Sequence, residues 1–251
     1  MKVLITGKNS KDLEPTVKQL GFEVVEENPE VIISYGGDGT LLASERQFPG
    51  IPKLPTRNDS VSKKCPKHET EILLKKLAQG QLELKEYSKL EIKIDPSTSS
   101  GQGVKTLFAL NDFVIRNKEP MHSIRFTVTS HSHPVPDTGS INNLLIGDGI
   151  VISTPFGSSG YFQSITRQTF EGGLGLAFNN TTEKMEPQFF SENDEIIFKL
   201  VRGNATLTSD NSPEIYTIPE GSELTFKLSS EKAKIYELDS LRCPNCIVTR
   251  G

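Results

Sequence analysis

The sequence predicts an α/β N-terminal domain with a parallel sheet, followed by an all-β sandwich. Up to residue 90, short apolar runs alternate with helical patterns, as in parallel strands joined by crossover helices. Later in the chain, short alternating runs are separated by turn-rich stretches, which is typical of antiparallel sandwiches. A length of 251 residues suits one large domain or two small ones. We therefore predict domains over 1–90 and 91–239.

In the first domain, buried-strand runs alternate with stretches of helical spacing. The predicted strands are Val3–Ile5, Phe22–Val25 and Val31–Ile33. The predicted helices cover 11–20 (Leu13, Val17 and Leu20 apolar), Leu41 onward, and 69–77 with Ile72, Leu73 and Leu77 on the apolar face.

In the second domain, the pattern is almost entirely of strands. They are predicted over 88–94, 107–116, 122–129, 141–152, 195–201, 222–228 and 233–238. The composition of 95–103 (DPSTSSGQG) is typical of a flexible hairpin loop or linker.

Charge and hydrophobicity exclude several classes of protein. The chain has 28 basic and 32 acidic residues, a net charge of −4, with no basic stripe, which argues against a nucleic-acid or anionic-membrane surface. No apolar run reaches the length of a membrane span, and the first ten residues lack the apolar core of a signal peptide. We therefore expect a cytoplasmic protein whose three cysteines are reduced thiols or metal ligands.

The first candidate site is the segment Gly36-Gly37-Asp38-Gly39-Thr40, between a predicted strand and a predicted helix. Glycines let a backbone approach a ligand closely, and the amides at a helix start favour phosphate. A carboxylate beside phosphate is useful if a divalent cation is present, or if it accepts a proton from an attacking hydroxyl. The alternative is an ordinary glycine-rich turn capped by Asp38.

Two further segments carry polar groups inside apolar runs. Asn111-Asp112 either caps a strand end facing solvent or reaches a hydroxyl-rich ligand, since an unpaired polar pair is costly in a core. Gly147–Tyr161 is a buried-strand pattern between a Gly-Asp-Gly turn and a loop offering Ser and Thr donors, and Tyr161 can stack on a base. The alternative for this segment is a hairpin strand with ordinary turns.

The cysteines occur in two short pairs, Cys65-Pro66-Lys67-His68 and Cys243-Pro244-Asn245-Cys246. Their spacing suits a tetrahedral Cys₃His zinc site. The alternatives are an exposed Cys-x-x-Cys dithiol and an unrelated buried Cys65.

The order of the three candidate segments resembles the NAD kinase family, which phosphorylates the 2′-hydroxyl of the adenosine ribose of NAD. GGDGT at Gly36–Thr40 also resembles diacylglycerol kinases, sphingosine kinases and phosphofructokinases. Asn111-Asp112 matches the family's Asn-Glu/Asp motif, and Gly147–Tyr161 matches its Gly-Asp-Gly…Ser-Thr-Pro-x-Gly-Ser segment. The third segment is the one that points to NAD kinase.

The resemblance implies a fold in which the tail, 240–251, returns to the first domain, where it would meet Cys65 and His68. It implies Asp38 as general base for the ribose hydroxyl, Mg²⁺ bridging the phosphates, and ATP or polyphosphate as phosphoryl donor. ATP phosphates would be held by Gly36, Gly37, Gly39 and Thr40. The dinucleotide would be contacted by Asn111, Asp112, Asp148, Ser159, Gly160, Tyr161 and Ser164. A homodimer or homotetramer is also implied.

The chain departs from the family at two places. Pro55–Ser60 stands where the family usually has Asn-x-Gly-x-x-Gly-Phe-Leu, and Phe156, Ser159 and Gly160 replace Thr, Thr and Ala. The Ala-Gly-Gly-Pro that usually follows is missing. Two alternatives stay open: a lipid kinase with the same phosphate loop, and a non-catalytic dinucleotide-binding paralogue. The retained Asp38 argues against the second.

Overall fold

The computed structural model describes residues 1–57, 62–94, 104–131 and 144–248. The chain divides into two compact units, one of Met1–Tyr87 with Lys232–Gly251 and one of Ser88–Glu231. The loop predicted over 95–103 lies outside the described residues. Within the described ranges, no helix is long and apolar enough to cross a membrane.

Strands and helices alternate in the first third of the chain. They are β1 (Lys2–Thr6), α1 (Ser10–Gln19), β2 (Glu23–Val24), β3 (Val31–Tyr35), α2 (Asp38–Gln47), β4 (Lys53–Thr56), β5 (Ser62–Lys63), a 3₁₀ turn (Pro66–His68), α3 (Thr70–Ala78) and β6 (Leu84–Ile94).

Strands dominate the rest, together with the short helix α4 (Tyr161–Thr166). The strands are β7 (Lys105–Ala109), β8 (Asp112–Asn117), β9 (Ile124–His131), β10 (Leu145–Gly147), β11 (Gly149–Ser153), β12 (Leu174–Asn179), β13 (Gln188–Phe190), β14 (Glu195–Arg202), β15 (Ala205–Ser209), β16 (Tyr216–Ile218) and β17 (Glu223–Tyr236). The chain re-enters the first unit within β17, at Lys232, and continues there with α5 (Asp239–Arg242) and β18 (Ile247–Val248).

The first unit is built on a parallel sheet in the order β2-β1-β3-β4, and the end of β17 adds parallel to β4. β3 is buried along its whole length, as expected for a strand covered on both faces. The predicted strands and helices of this region are confirmed with small shifts; α2 begins at Asp38 rather than Leu41. The apolar face of α3 contains Leu74 instead of the predicted Ile72, because positions 73, 74 and 77 form one stripe at helical spacing.

The second unit contains a six-stranded antiparallel sheet in the order β13-β12-β11-β8-β15-β16. A second set of antiparallel strands includes β10, β9, β14 and β17 in that order. Apolar side chains from both sets form one core, whose members include Phe113, Phe126, Ile150, Phe198 and Phe226. The chain therefore combines a sheet containing parallel strands with a separate antiparallel sheet, as predicted.

Several strand predictions for the second unit were wrong in their division. The run 107–116 is two strands, 141–152 contains parts of two, and 222–228 with 233–238 is the single strand β17. Strands β12, β13, β15 and β16 and the helix α4 were not predicted. Apolar runs report burial, but they do not mark where a chain leaves its neighbour in the sheet.

A buried ion pair joins α2 to β4 in the first unit. The Lys53 side chain is fully buried, and its ammonium donates to the Glu45 carboxylate and, at 2.6 Å, to the carbonyl of Phe48. Charges this deep are retained only when paired, because desolvation costs several kcal/mol per ion. The position of α2 relative to β4 thus depends on this pair.

We expect Lys53→Met to lower the free energy of unfolding by about 3–5 kcal/mol, because it removes the ammonium that is paired with the buried Glu45 carboxylate. The double variant Lys53→Met/Glu45→Leu should recover most of that loss, since both charges are then gone. Urea unfolding of the wild type and both variants measures this. A double variant no more stable than the single one would contradict it.

Candidate functional site

The GGDGT segment forms the sharp connection between β3 and α2. The amide of Gly36 donates to the carbonyl of Thr56 at 2.8 Å, and the amides of Thr40 and Leu41 donate to the carbonyl of Gly37 at 3.0 and 3.2 Å. A Cβ on Gly36 would overlap the hydroxyl of Thr40, so only glycine fits there without moving the helix start. The segment is therefore fixed both to β4 and to the first turn of α2.

Asp38 is the first residue of α2, and its side chain is 50% exposed. The Nε atom of Arg242 lies 3.8 Å from its Oδ1 atom. Burial lowers the pKa of Arg242, and the neighbouring Asp38 carboxylate opposes that shift. Arg242 was not predicted from the sequence, because nothing in the residues of α2 indicates that Asp38 has a partner 204 residues later in the chain.

Arg242 is held in place by contacts between α5 and β4. The hydroxyl of Ser240 donates to the carbonyl of Pro55 at 2.7 Å, and the guanidinium of Arg57 donates to the carbonyl of Leu241. Arg57 belongs to the segment that departs from the family pattern. The return of the chain after β17 thus adds a cation beside the candidate catalytic carboxylate.

In the second unit, the carboxylate of Asp210 organises the Asn111-Asp112 pair. It accepts the amides of Leu110, Asn111 and Asp112 at 2.9, 2.7 and 3.2 Å. Because these three amides donate to a side chain, the strand predicted over 107–116 is interrupted between β7 and β8. Asp210 was not predicted, because it lies on a turn after β15 with no motif around it.

Asp112 is buried and Asn111 is half-buried, which argues against the alternative of a strand cap whose side chains both face solvent. Asp112 is 6% exposed. Burial, and secondly the charge of Asp210, raise the pKa of Asp112 to about 7. The Oδ1 atom of Asn111 is buried and has no hydrogen-bond partner among the described residues. A buried acceptor without a donor is uncommon, and it marks this position as one suited to a ligand donor.

The loop after β11 packs directly against this pair. Thr154 donates its hydroxyl to the carbonyl of Leu110 at 2.6 Å, and Ser153 donates to the carbonyl of Asn111 at 3.2 Å. A Cβ on Gly157 would overlap the backbone of Asn111. The second and third motifs therefore form one structure.

Most hydroxyls of this loop are already used within the protein, contrary to the prediction that they are offered to a ligand. Besides Ser153 and Thr154, Ser158 donates to the carbonyl of Pro155 at 2.8 Å. Ser159 and Gly160, by contrast, are exposed. Gly160 precedes the first residue of α4.

The remaining predicted residues form a separate group. Asp148 lies at the end of β11 away from Asp112, because Ser153 pairs with Asp112 and Gly149 with Arg116. The two ends of a five-residue strand are roughly 13 Å apart. Asp148 accepts a hydrogen bond from the side chain of Asn180 at 3.0 Å.

Tyr161 extends toward the same end of the sheet. Its hydroxyl accepts from the amide of Asn179 at 3.4 Å, and Asn179 pairs with Gly149. Ser164 is exposed, and its hydroxyl donates to the carbonyl of Tyr161 at 2.7 Å. The structure thus divides the predicted dinucleotide contacts into one group around Asn111 and another around Asp148 and Tyr161.

The four predicted zinc ligands lie together in the first unit. One ligand atom from each of Cys65, His68, Cys243 and Cys246 falls within 4.8 Å of all the others. Across the described residues, this is the one group of three or more Cys, His, Asp or Glu side chains close enough to share a metal ion. His68 is buried, and that burial lowers its pKa. The cluster has the ligand types of a structural zinc site.

Comparison with known sequences finds relatives across nearly the whole chain, although no protein-family model matches it. The chain is 28% identical over 260 residues to the NAD kinase of Sulfurisphaera tokodaii, covering 96% of this chain and 97% of the relative. It is 30% identical over 212 residues to the bifunctional NADP phosphatase/NAD kinase of Methanocaldococcus jannaschii, covering 80% of this chain and 35% of that protein.

Comparison with solved structures finds the same fold. An NAD kinase from Archaeoglobus fulgidus, solved in complex with ATP, superposes with a TM-score of 0.72 at 19% identity, covering 97% of each chain. Yeast NADH kinase complexed with NADH superposes with a TM-score of 0.74 at 14% identity, covering 94% of this chain and 83% of that one.

The raised pKa of Asp112 predicts a pH-dependent effect of Asp112→Asn on stability. As pH rises from about 4 to about 7, the unfolded chain loses this proton before the folded protein does, so the wild type loses stability. The stability of Asp112→Asn relative to wild type should therefore increase between pH 4 and pH 8, by up to roughly 4 kcal/mol. Denaturant unfolding at both pH values measures this, with the exposed Glu192→Gln as control. A difference that does not change with pH would mean that Asp112 titrates normally.

Proposed function

Because the chain belongs to the NAD kinase family, as the order of its motifs predicts, we propose that it transfers the γ-phosphoryl group of ATP to the 2′-hydroxyl of the adenosine ribose of NAD, giving NADP. The observation that carries the proposal is the placement of Asp38. Its half-exposed carboxylate stands at the first turn of α2, directly after the strand β3 and its paired glycines.

Asp38 acts as the general base. It accepts the proton of the 2′-hydroxyl as that oxygen attacks the γ-phosphorus atom, the bond from phosphorus to the β–γ bridging oxygen breaks, and ADP leaves. No side chain carries the phosphoryl group, so catalysis consists of positioning and charge stabilisation.

The phosphates of ATP lie at the start of α2. Gly36, Gly37 and Gly39 allow close approach of the backbone, and the positive end of the helix dipole at the start of α2 favours phosphate. Thr40 adds a hydroxyl at the same turn.

A Mg²⁺ ion bound together with the ATP phosphates would neutralise part of their charge. The residues present fit such a metal, because Mg²⁺ is commonly held by substrate phosphates, waters and one or two carboxylates. No group of three carboxylates close enough to form a protein-built cage is found in the described part of the chain.

The dinucleotide binds to the second unit through two groups of residues. The backbone amides of Asn111 and Asp112 donate to the Asp210 carboxylate, which holds the two residues in place. The buried Oδ1 atom of Asn111 accepts a hydrogen bond from the substrate. Asp148 and Tyr161 lie toward the other end of β11, so they contact a different part of the same extended substrate. Ser159, Gly160 and Ser164 complete the set on the exposed side of α4 and its preceding turn.

We extend the proposal to a cytoplasmic homodimer or homotetramer, which rests on the family resemblance. ATP is the proposed donor, with polyphosphate as the alternative.

The decisive experiment is an assay for NADP formation with purified protein, Mg²⁺, and either ATP or polyphosphate. NADH replaces NAD in a parallel series, and a diacylglycerol panel runs beside both. NADP formation above background supports the proposal. Phosphorylated lipid without NADP would identify a lipid kinase, and NAD binding without any product would identify a non-catalytic paralogue.

Asp38→Asn should lower kcat by ~10²–10⁴-fold, because the amide has the same shape but cannot accept the hydroxyl proton. NAD affinity should stay within a few-fold of wild type. Steady-state kinetics and calorimetry measure the two effects, and Asp12→Asn, an exposed carboxylate of α1, is the matched control. Near-normal turnover of Asp38→Asn would overturn the assigned role.

Tyr161→Ala should weaken NAD binding more than ATP binding. By analogy with aromatic stacking on bases, the loss should be roughly 1–3 kcal/mol. Tyr161→Phe keeps the ring and removes the hydroxyl that contacts Asn179, so it separates stacking from hydrogen bonding. Equal losses for both nucleotides in calorimetry would place Tyr161 outside the dinucleotide site.

A further inference from the structure

The Cys/His cluster of the first unit has the dimensions of a tetrahedral zinc site. The Sγ atoms of Cys65 and Cys243 are 3.8 Å apart, and ligands about 2.3 Å from a tetrahedral zinc ion are separated by about 3.8 Å. The Nδ1 atom of His68 lies 3.3 Å from the Sγ atom of Cys246. A disulfide would need sulfurs about 2.05 Å apart, and all three cysteines are free.

Both halves of the cluster have the same local structure. The amide of His68 donates to the carbonyl of Cys65 at 2.8 Å, and the amide of Cys246 donates to the carbonyl of Cys243 at 3.2 Å. Each turn brings its two ligands to the same side. In addition, the amide of Cys65 donates to the sulfur of Cys246 at 3.3 Å, a bond across the two halves that orients a ligand from outside the metal shell.

The elements around the cluster are too short to be stable alone. β5 and β18 pair antiparallel over two residues each, Ser62 with Val248 and Lys63 with Ile247. α5 has four residues. Isolated helices of this length and two-stranded ribbons are marginal in water, so a metal cross-link between the two halves explains how this segment keeps one conformation.

The same segment carries Arg242, which directly precedes the ligand Cys243 and lies 3.8 Å from the Asp38 carboxylate. This stretch is attached to the cluster through Cys243, and it contacts Pro55 of β4 and the following Arg57 through Ser240 and Leu241. An arginine beside a carboxylate fixes its orientation by charge-assisted attraction.

We propose that Cys65, His68, Cys243 and Cys246 bind one structural Zn²⁺ ion, which fastens residues 239–248 to the first unit and so keeps Arg242 beside Asp38. Arg242 is a positioning residue for Asp38, and this second part rests on the proposed kinase function. The site joins the two chain segments that make up the first unit, and the whole of the second unit lies between these segments in the sequence.

The metal is tested on protein purified without a metal-affinity tag. We expect about one zinc ion per chain by elemental analysis, loss of that zinc in Cys243→Ser and His68→Gln, and retention in His122→Gln, an exposed histidine of the second unit. Two further tests use the wild type, so they do not depend on whether a variant folds. A chelator should lower its melting temperature, and added Co²⁺ should give the visible absorption bands of tetrahedral cobalt–thiolate. Less than a tenth of an equivalent of zinc with no chelator effect, a different stoichiometric metal, or a disulfide in protein kept under reducing conditions would each overturn the site.

Hydrogen exchange tests the fastening. Chelation should increase exchange across 239–248 and around 62–68 while leaving the strands of the second unit protected. Unchanged exchange would mean that zinc does not hold this segment. This readout, like the zinc content, stands even if the protein forms no NADP, so failure of the zinc site and failure of the kinase proposal are distinguishable.

The positioning role is tested by kinetics. Zinc removal and Arg242→Ala should each lower kcat by up to roughly 10²-fold, the range seen when a catalytic group is misplaced, with smaller effects on the KM for ATP. Arg242→Lys should restore part of kcat. Zinc removal from Arg242→Ala should cause no further loss; a second, additive loss would show that the metal acts on turnover by another route.

Discussion

The buried ammonium of Lys53 constrains much of the first unit. Lys53 pairs with Ile32 of β3 on one side and with Ile235 of β17 on the other, while its Nζ atom is held by Glu45 and Phe48. Because a desolvated charge cannot leave its partner without a large cost, α2 is fixed relative to the sheet. The same strand, β4, then receives α5 through Pro55. The carboxylate of Asp38 and the guanidinium of Arg242 therefore meet as a consequence of contacts that neither residue makes.

In the second unit, the carboxylate of Asp210 fixes the position of the backbone around Asn111 and Asp112. Asp210 accepts three consecutive amides, which compensates the strand hydrogen bonds lost between β7 and β8. At this break Asn111 lies between the two strands, and Asp112 begins β8 opposite Ser153 of β11. The same arrangement places a second acidic group near Asp112, and burial with that neighbour keeps its pKa well above the ordinary range. The polar pair of the motif is thus supported by a residue outside every motif.

The sequence predicted the features that follow from local pattern. Buried runs such as Val31–Ile33 became strands, and the order of the three motifs identified the family. β4 was missed because Pro55 interrupts its short run, and proline is usually read as a turn. Asp210 and Arg242 were missed for a different reason: each acts on a segment about a hundred or more positions away in the printed sequence, and single-sequence periodicity carries no information about such partners.

One of the two departures from the family pattern falls where the chain makes contacts with its C-terminal segment. The segment beginning at Pro55 lacks the usual glycines, yet Pro55 and Arg57 are the residues that contact α5. Asn58 and Asp59 lie outside the described residues. The described chain resumes at Ser62, in β5, which pairs with β18, and three residues later Cys65 begins the first half of the Cys/His cluster. The described residues on either side of 58–61 therefore contact the C-terminal segment. These contacts restrain the backbone close to the phosphate-binding turn without the glycines that the family pattern has there.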